Sequence, residues 1–394
     1  MKSSSSQFDI VVYGATGFTG QLIAEYLATH YTGKDAPKWA MAGRSLEKLA
    51  SVRDTIGAPS DIALIQVDAG DRTSLQAMAD RTRSVISSVG PYQLYGSELL
   101  AICAATGTDY LDLCGEPVWM RQMIDAHEAT ARASGARLLF SCGFDSLPFE
   151  LGVLFCQETA KSILGAPVNR IKGRVREMKG TFSGGTAASF KATFAAAAKD
   201  LSLVALLQNP FVLTPGFEGP KQPRGNKPLL DNDLGSWTAP FVMASINTRN
   251  VHRSNMLMNF PYGKDFVYDE MVLTGPGAEG EANAKRLVAA VNGERMGGGG
   301  PKPGEGPSKE ERESGLYDLL FVGLAPDGRQ IRVAVKGDRD PGYGSTSKMI
   351  SECAICLREA PDVTPGIWTP GAAMGDRLIK RLIDRAGITF TVEN

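Results

Sequence analysis

A tight run of small residues, Gly14-Ala15-Thr16-Gly17-Phe18-Thr19-Gly20, is the pattern in this chain best suited to chemistry. Glycines at that spacing permit positive φ and let the backbone come close to a ligand. Apolar Ile10-Val11-Val12-Tyr13 precedes the run, and amphipathic Leu22, Ile23, Tyr26 and Leu27 follow it. The order is strand, turn, helix. A helix opening there offers unpaired N–H groups and the positive end of a dipole, which suits a diphosphate. The whole of 14–20 is therefore expected to cradle a nucleotide.

Arg44 is the second informative position. In dinucleotide-binding folds an acid at the end of the second strand accepts the ribose 2′-hydroxyl of NAD. This chain has Arg44 there, and no carboxylate before Glu47. A guanidinium pairs with a 2′-phosphate and stacks on adenine. Ser45 and Lys48 would add a hydroxyl and a second positive charge. NADP(H) is the expected cofactor, against the alternative of a merely solvated arginine. Asp68, at the tip of the third strand, either accepts the adenine amino group or caps the next helix. Gly90-Pro91, after the fourth, either lets the nicotinamide ribose pass or forms a plain turn.

With hydride supplied by the cofactor, the protein must position a substrate, stabilise negative charge and deliver a proton. Tyr92 and Tyr95 could donate a hydrogen bond or a proton, or else pack as aromatics over the cofactor. Glu116 follows the fifth strand, where it contacts the cofactor or caps a helix. Asp145 and Ser146 follow the sixth; they bind the nicotinamide amide or substrate, or cap the helix near Pro148. Lys191 and Tyr343, further along, either close on the crevice or serve packing. His30, His127 and His252 are scattered, without a serine–histidine pair or a metal triad. Cys353 and Cys356 form a lone C-x-x-C, and zinc sites need four ligands, so no metal is expected. Single cysteines at 103, 114, 142 and 156 fit reduced core thiols and a cytoplasmic setting.

Elements must hold these residues in place. At 394 residues, two domains are expected. Short apolar strands at Trp39–Ala42, Ile62–Val67, Val85–Val89, Tyr110–Leu113 and Arg137–Cys142 alternate with helices. That rhythm predicts an α/β fold: a doubly wound parallel Rossmann sheet over residues 1–150, with its crevice at the carboxyl ends of the strands. An α+β domain for substrate or dimerisation is expected over 151–364, with a C-terminal helix in 365–394 returning to the first domain. Its expected parts are a strand at Arg170–Met178, a long helix at Thr186–Leu207, and a hairpin turning at Pro326-Asp327-Gly328. Asn209–Pro240 and Met296–Pro307 lack periodicity and read as mobile loops. With 42 basic and 43 acidic residues, no nucleic-acid surface is expected. The apolar run Thr193–Leu207 contains Lys199 and Asp200, which argues against a transmembrane segment, and no secretory signal is apparent.

Together with the glycine turn, Ala42-Gly43-Arg44-Ser45 and Val89-Gly90-Pro91-Tyr92, further stretches carry a family resemblance. They are Asp112-Leu113-Cys114-Gly115-Glu116, Cys142-Gly143-Phe144-Asp145-Ser146, Ser183-Gly184-Gly185-Thr186, Gly304-Glu305-Gly306-Pro307-Ser308 and Gly342-Tyr343-Gly344-Ser345-Thr346. The chain resembles the saccharopine dehydrogenase-like oxidoreductases, and more closely their trans-acting enoyl reductase branch. The resemblance implies NADPH as reductant and an unsaturated acyl or polyketide substrate, free or bound to a carrier on a separate synthase. An imine-reducing amino-acid dehydrogenase and a non-catalytic NADP sensor are the competing functions. A homodimer is a further expectation.

Overall fold

The computed structural model describes residues 6–180, 184–200, 202–297 and 306–393. Its first half alternates strand and helix. β1 (Phe8–Tyr13), β2 (Trp39–Gly43), β3 (Ala63–Gln66), β4 (Thr82–Ser87), β5 (Asp109–Asp112) and β6 (Arg137–Leu139) are the strands. Between them run α1 (Phe18–His30), α2 (Leu46–Thr55), α3 (Arg72–Arg81), α4 (Tyr92–Tyr95), α5 (Ser97–Thr106) and α6 (Pro117–Ser134). The strands pair in parallel in the order β3-β2-β1-β4-β5-β6, extended by a late strand next to β6. This is the Rossmann order, with its topological switch between β1 and β4. β2 is buried along its whole length, as a strand covered on both faces must be.

Helix α7 (Leu147–Leu164) crosses to the second sheet, packing on its strands and on the C-terminal helix. Its apolar side chains are buried nearly all round, which a helix wedged between layers requires. A Cβ at Gly152 would overlap the ring of Phe321, so this glycine sets how closely helix and sheet approach. Next come β7 (Arg170–Lys179), α8 (Gly184–Lys199), α9 (Ser202–Gln208), β8 (Leu229–Asp231), β9 (Ser236–Pro240) and α10 (Ala244–Leu257). β10 (Val267–Gly275), α11 (Gly277–Gly297), α12 (Lys309–Glu313), β11 (Leu316–Leu324) and β12 (Gln330–Gly337) follow. The chain ends with α13 (Thr346–Arg358), β13 (Gly366–Trp368), α14 (Pro370–Arg385) and β14 (Ile388–Glu393). The second sheet is mixed, in the order β14-β12-β11-β7-β10-β9-β8, with β7 and β10 parallel.

Four sequence expectations need correction. The helix expected over Thr186–Leu207 breaks at Asp200, whose carboxylate accepts the Ser202 N–H and hydroxyl and so starts α9 afresh. Asn209–Pro240 is not one loop, because β8 and β9 pair within it. Of Met296–Pro307, the first two residues end α11, 298–305 lie outside the described residues, and Gly306 packs against Phe18. The boundary at 364 also shifts. α13 already packs on α1, β4 and β5; β13 joins the first sheet beside β6; β14 then joins the second. The C-terminal segment thus stitches both sheets together. Among the described residues, no helix is long and apolar enough to cross a membrane.

Candidate active site

The glycine turn lies at the switch point. Gly14 has φ +89°, and a Cβ there would come within 2.8 Å of Ser88 Oγ and Val89 Cγ2, so only glycine lets β1 turn against the tip of β4. A Cβ at Gly20 would overlap the carbonyl of Gly14. Gly14 and Ala15 both donate to the Ala42 carbonyl, and Gly17 donates to Gly14, which fixes the turn. Gly17 is the N-cap of α1 and supplies no side chain to the opening amides. Those amides have no acceptor within their helix, and a phosphate oxygen suits them. Phe18 meets Tyr343 edge-on with centroids 4.6 Å apart, and the Arg312 guanidinium stacks over the Phe18 ring at 5.4 Å. Tyr343, far along the sequence, is thus part of the turn's cover.

Beyond β2, Arg44 is exposed, and among the described residues no ion pair engages it. Ser45 caps α2 by accepting the Lys48 N–H at 3.2 Å, so Ser45 and Lys48 are held side by side just after Arg44. Asp68 does not cap α3; Asp71 does. Asp68 instead accepts the Gly70 N–H in its own turn. Burial, chiefly, and then Asp68 push the Tyr13 hydroxyl up to about 12, while Arg44 pulls it the other way. Tyr13, missed from the sequence, therefore marks where the tips of β1, β2 and β3 converge.

The tips of β4, β5 and β6 surround a cavity of about 260 Å³. Gly90, Tyr92, Leu113, Gly115, Phe144 and Asp145 line it from the first half. Gly90-Pro91 is a cis peptide that opens α4. Tyr92 is buried, and its hydroxyl donates to the Ser87 carbonyl at 3.0 Å and accepts the Leu113 N–H at 3.1 Å. Burial and neighbouring Asp112 raise its pKa well above the usual phenol range. A hydroxyl so bonded clamps β4 to β5, while the residue itself lines the cavity. Tyr95 is 48% exposed and stands outside the cavity wall. Glu116 sits at the N-cap position of α6 without capping it. Its buried carboxylate accepts the N–H groups of Tyr92 at 2.8 Å and Gln93 at 2.9 Å, and the Ser189 hydroxyl at 2.6 Å. Ser146, at the N-cap of α7, does not cap it either and accepts from Asn250 at 2.8 Å. Asp145 remains on the cavity wall.

The opposite wall comes from the second half. Ser189 and Thr193 on α8 reach Glu116 and Gln93, and Leu207, Met243, Ser245 and Arg249 complete the lining. Lys191, between Ser189 and Thr193, is exposed and not part of the wall. None of the three histidines lines it. His252 is buried against Phe211 and Phe266 and is held neutral, its pKa lowered to about 3 by burial. Asp112 was also missed: its carboxylate accepts the N–H groups of Cys114 and Ser141 and so joins the tips of β5 and β6. Burial pushes it up to about 7. The alternation around 109–113 held no signal for that role, and nothing local marked α10 as a cavity wall.

A parallel sheet of this order, a glycine turn at its switch point and a cavity beyond its strand tips define a dinucleotide-binding protein. The family model of the saccharopine dehydrogenase NADP-binding domain matches residues 10–139. A trans-acting enoyl reductase of Mycobacterium ulcerans is 34% identical, with 97% of each chain covered. One of Mycobacterium bovis is 35% identical at the same coverage. A Mycobacterium tuberculosis protein given that name provisionally is 38% identical, over 99% of this chain and 98% of its own. Saccharopine dehydrogenase (L-Glu forming) from Saccharomyces cerevisiae shares the fold, with TM-score 0.54 at 11% identity over 98% of this chain and 100% of that one. The chain belongs to the saccharopine dehydrogenase-like family, alongside the trans-acting enoyl reductases, and is an NADP-dependent oxidoreductase. Its residues fit that cofactor. Gly17 puts no side chain over the opening amides of α1, which leaves them to a diphosphate, and Arg44 offers a cation without an ion pair among the described residues just past β2.

Proposed function

We propose that this reductase saturates the C2–C3 double bond of an acyl thioester, presented by a carrier, and works in the cytoplasm. The observation that carries the reading is the cavity at the tips of β4, β5 and β6. Apolar Leu113, Phe144, Leu207 and Met243 form one part of its wall, and Asp145, Arg249 and the hydroxyls of Thr19, Ser189, Thr193 and Ser245 form another. The apolar part suits an unsaturated acyl chain and the polar part its carbonyl end. The names of the full-length relatives support the same substrate class.

When bound, NADPH supplies the hydride. In this assignment the amides of 14–20 hold the diphosphate, and Arg44, Ser45 and Lys48 take the 2′-phosphate. Gly90-Pro91 leaves room for the nicotinamide ribose, and Asp145 meets the nicotinamide amide or the substrate. Glu116 positions α4 and, through Ser189, draws α8 over the crevice, so that water is excluded from the reacting end.

The test is NADPH oxidation, followed by absorbance, with 2-enoyl thioesters, simple enones, and keto acids mixed with amines. Turnover with the thioester and recovery of the saturated product is the expected result. Oxidation that appears only when an amine is present would favour the imine reading. Tight NADPH binding with no turnover on any of these would favour a sensor.

A further inference from the structure

Deeply buried guanidiniums elsewhere in this protein face carboxylates. Arg137 pairs with Asp109, and Arg174 with Asp231 and Asp269. Two arginines one turn apart on α10 have no ion pair among the described residues: Arg249, 7% exposed, and Arg253, 2% exposed. Arg253 is a structural tie, donating to the carbonyls of Leu213 at 2.8 Å and Ile367 at 2.6 Å. It lines neither cavity.

Arg249 is bonded in the same way: its Nη atoms donate to the carbonyls of Ser245 and Leu207, and its buried Nε–H, like that of Arg253, has no partner. It differs in where it stands. Burial alone lowers its pKa, to about 10, so it is still charged at neutral pH. It also lines two cavities at once. One is the cavity at the strand tips; the other, of about 810 Å³, lies between β10 and the segment 207–226. The two share Leu207, Ser245 and Arg249. A buried charge without a counter-ion is costly; Arg253 is closed in by protein, whereas Arg249 borders cavities from which a ligand could supply the missing partner.

We propose that Arg249 is a catalytic residue that binds the negatively charged oxygen of the substrate. The assignment rests on the enoyl reductase reading for its chemistry. Hydride received at C3 forms a C–H bond there, the C2–C3 π pair moves to C1–C2, and the carbonyl π pair moves onto oxygen. The enolate oxygen then carries the charge that Arg249 neutralises. A proton supplied by solvent water bonds C2, leaving hydroxide, as the C1–O double bond reforms. A free carboxylate would satisfy the same guanidinium in the ground state.

The experiment compares wild type, Arg249→Gln and Arg249→Lys on the NADP-loaded protein. Its probes are 2-decenoyl N-acetylcysteamine thioester in turnover and free 2-decenoate in calorimetry. Melting temperature and NADPH affinity serve as the folding checks, and the lysine variant, which keeps the charge, covers the case where glutamine does not fold. For an enolate site, kcat on the thioester falls about 100- to 1000-fold in Arg249→Gln, KM moves little, and lysine recovers part of the loss. Decenoate binding weakened at least about 10-fold with thioester turnover spared would overturn the catalytic role and leave a carboxylate-binding site only. Variants that match wild type in both arms overturn the proposal. Should wild type oxidise no NADPH with any thioester, the substrate reading fails separately. Decenoate binding then still decides: Arg249-dependent affinity keeps the anion site, and equal or absent affinity removes it.

Discussion

Arg44 and Arg249 both lack an acid partner among the described residues, yet their surroundings make that fact mean different things. Arg44 stands exposed at the rim of the first sheet, where water solvates it and an unpaired charge costs little. Its significance comes from its place in a motif, one residue past β2 and across from the glycine turn. Arg249 stands inside, on a helix with no motif, and its significance comes from desolvation. The rim is recognisable by pattern and the interior by energetics, and each prediction below strains one side of that contrast.

The largest effect is expected at the turn itself. Gly20→Ala places a Cβ on the Gly14 carbonyl, a backbone atom that cannot move without displacing β1. Overpacking of this kind costs about 1–3 kcal/mol, and the displaced amides should lower NADPH affinity by at least about 100-fold. Calorimetry and thermal melting measure the two. Retained affinity would mean that the turn does not carry the diphosphate.

Arg44→Ala should act more narrowly. NADPH binding is expected to weaken about 10- to 100-fold, from loss of charge-assisted hydrogen bonds to the 2′-phosphate, while NADH binding stays unchanged. Equal loss for both cofactors would move Arg44 out of the phosphate site and leave Lys48 as its cation.

The contrast also explains what the sequence made legible. Local order made the first sheet, the turn at 14–20 and the hairpin of β11 and β12 readable, because each rests on neighbouring residues and on the strand-to-helix rhythm. Tyr92 is legible in place and not in its bonds. Its position after β4 was visible, whereas its bonds to Ser87 and Leu113 depend on how β4 and β5 align. Glu116 reads from the sequence as a cofactor contact or a local cap, and its carboxylate accepts amide N–H groups 24 and 23 residues away. The α10 wall was invisible for the same reason. Arg249 and Arg253 share a helix face, and only the tertiary fold puts one beside cavities and the other against carbonyls.

The smallest and most gradual effect concerns Glu270, on the wall of the second cavity. Its buried carboxyl accepts from Asn247 and Tyr268, each at 2.9 Å, and burial pushes it up to about 8 from an ordinary 4.5. The folded protein therefore holds a proton that the unfolded chain releases above its ordinary pKa. Any such group contributes most stability below about pH 4.5, and its contribution is lost as pH rises toward 8, with a slope of at most about 1.4 kcal/mol per pH unit. Glu270→Gln stays neutral throughout, and Asn247 Oδ1, buried without a partner, can accept from the new amide if the Asn247 side chain turns over. Glu150 and Asp112, each raised to about 7, titrate equally in both proteins and cancel. Denaturant unfolding between pH 5 and 8 should show the variant gaining on wild type steadily as pH rises. Curves that stay parallel over that range would mean that water reaches Glu270, and that the cavity wall around it is wetter than the α10 side where Arg249 stands.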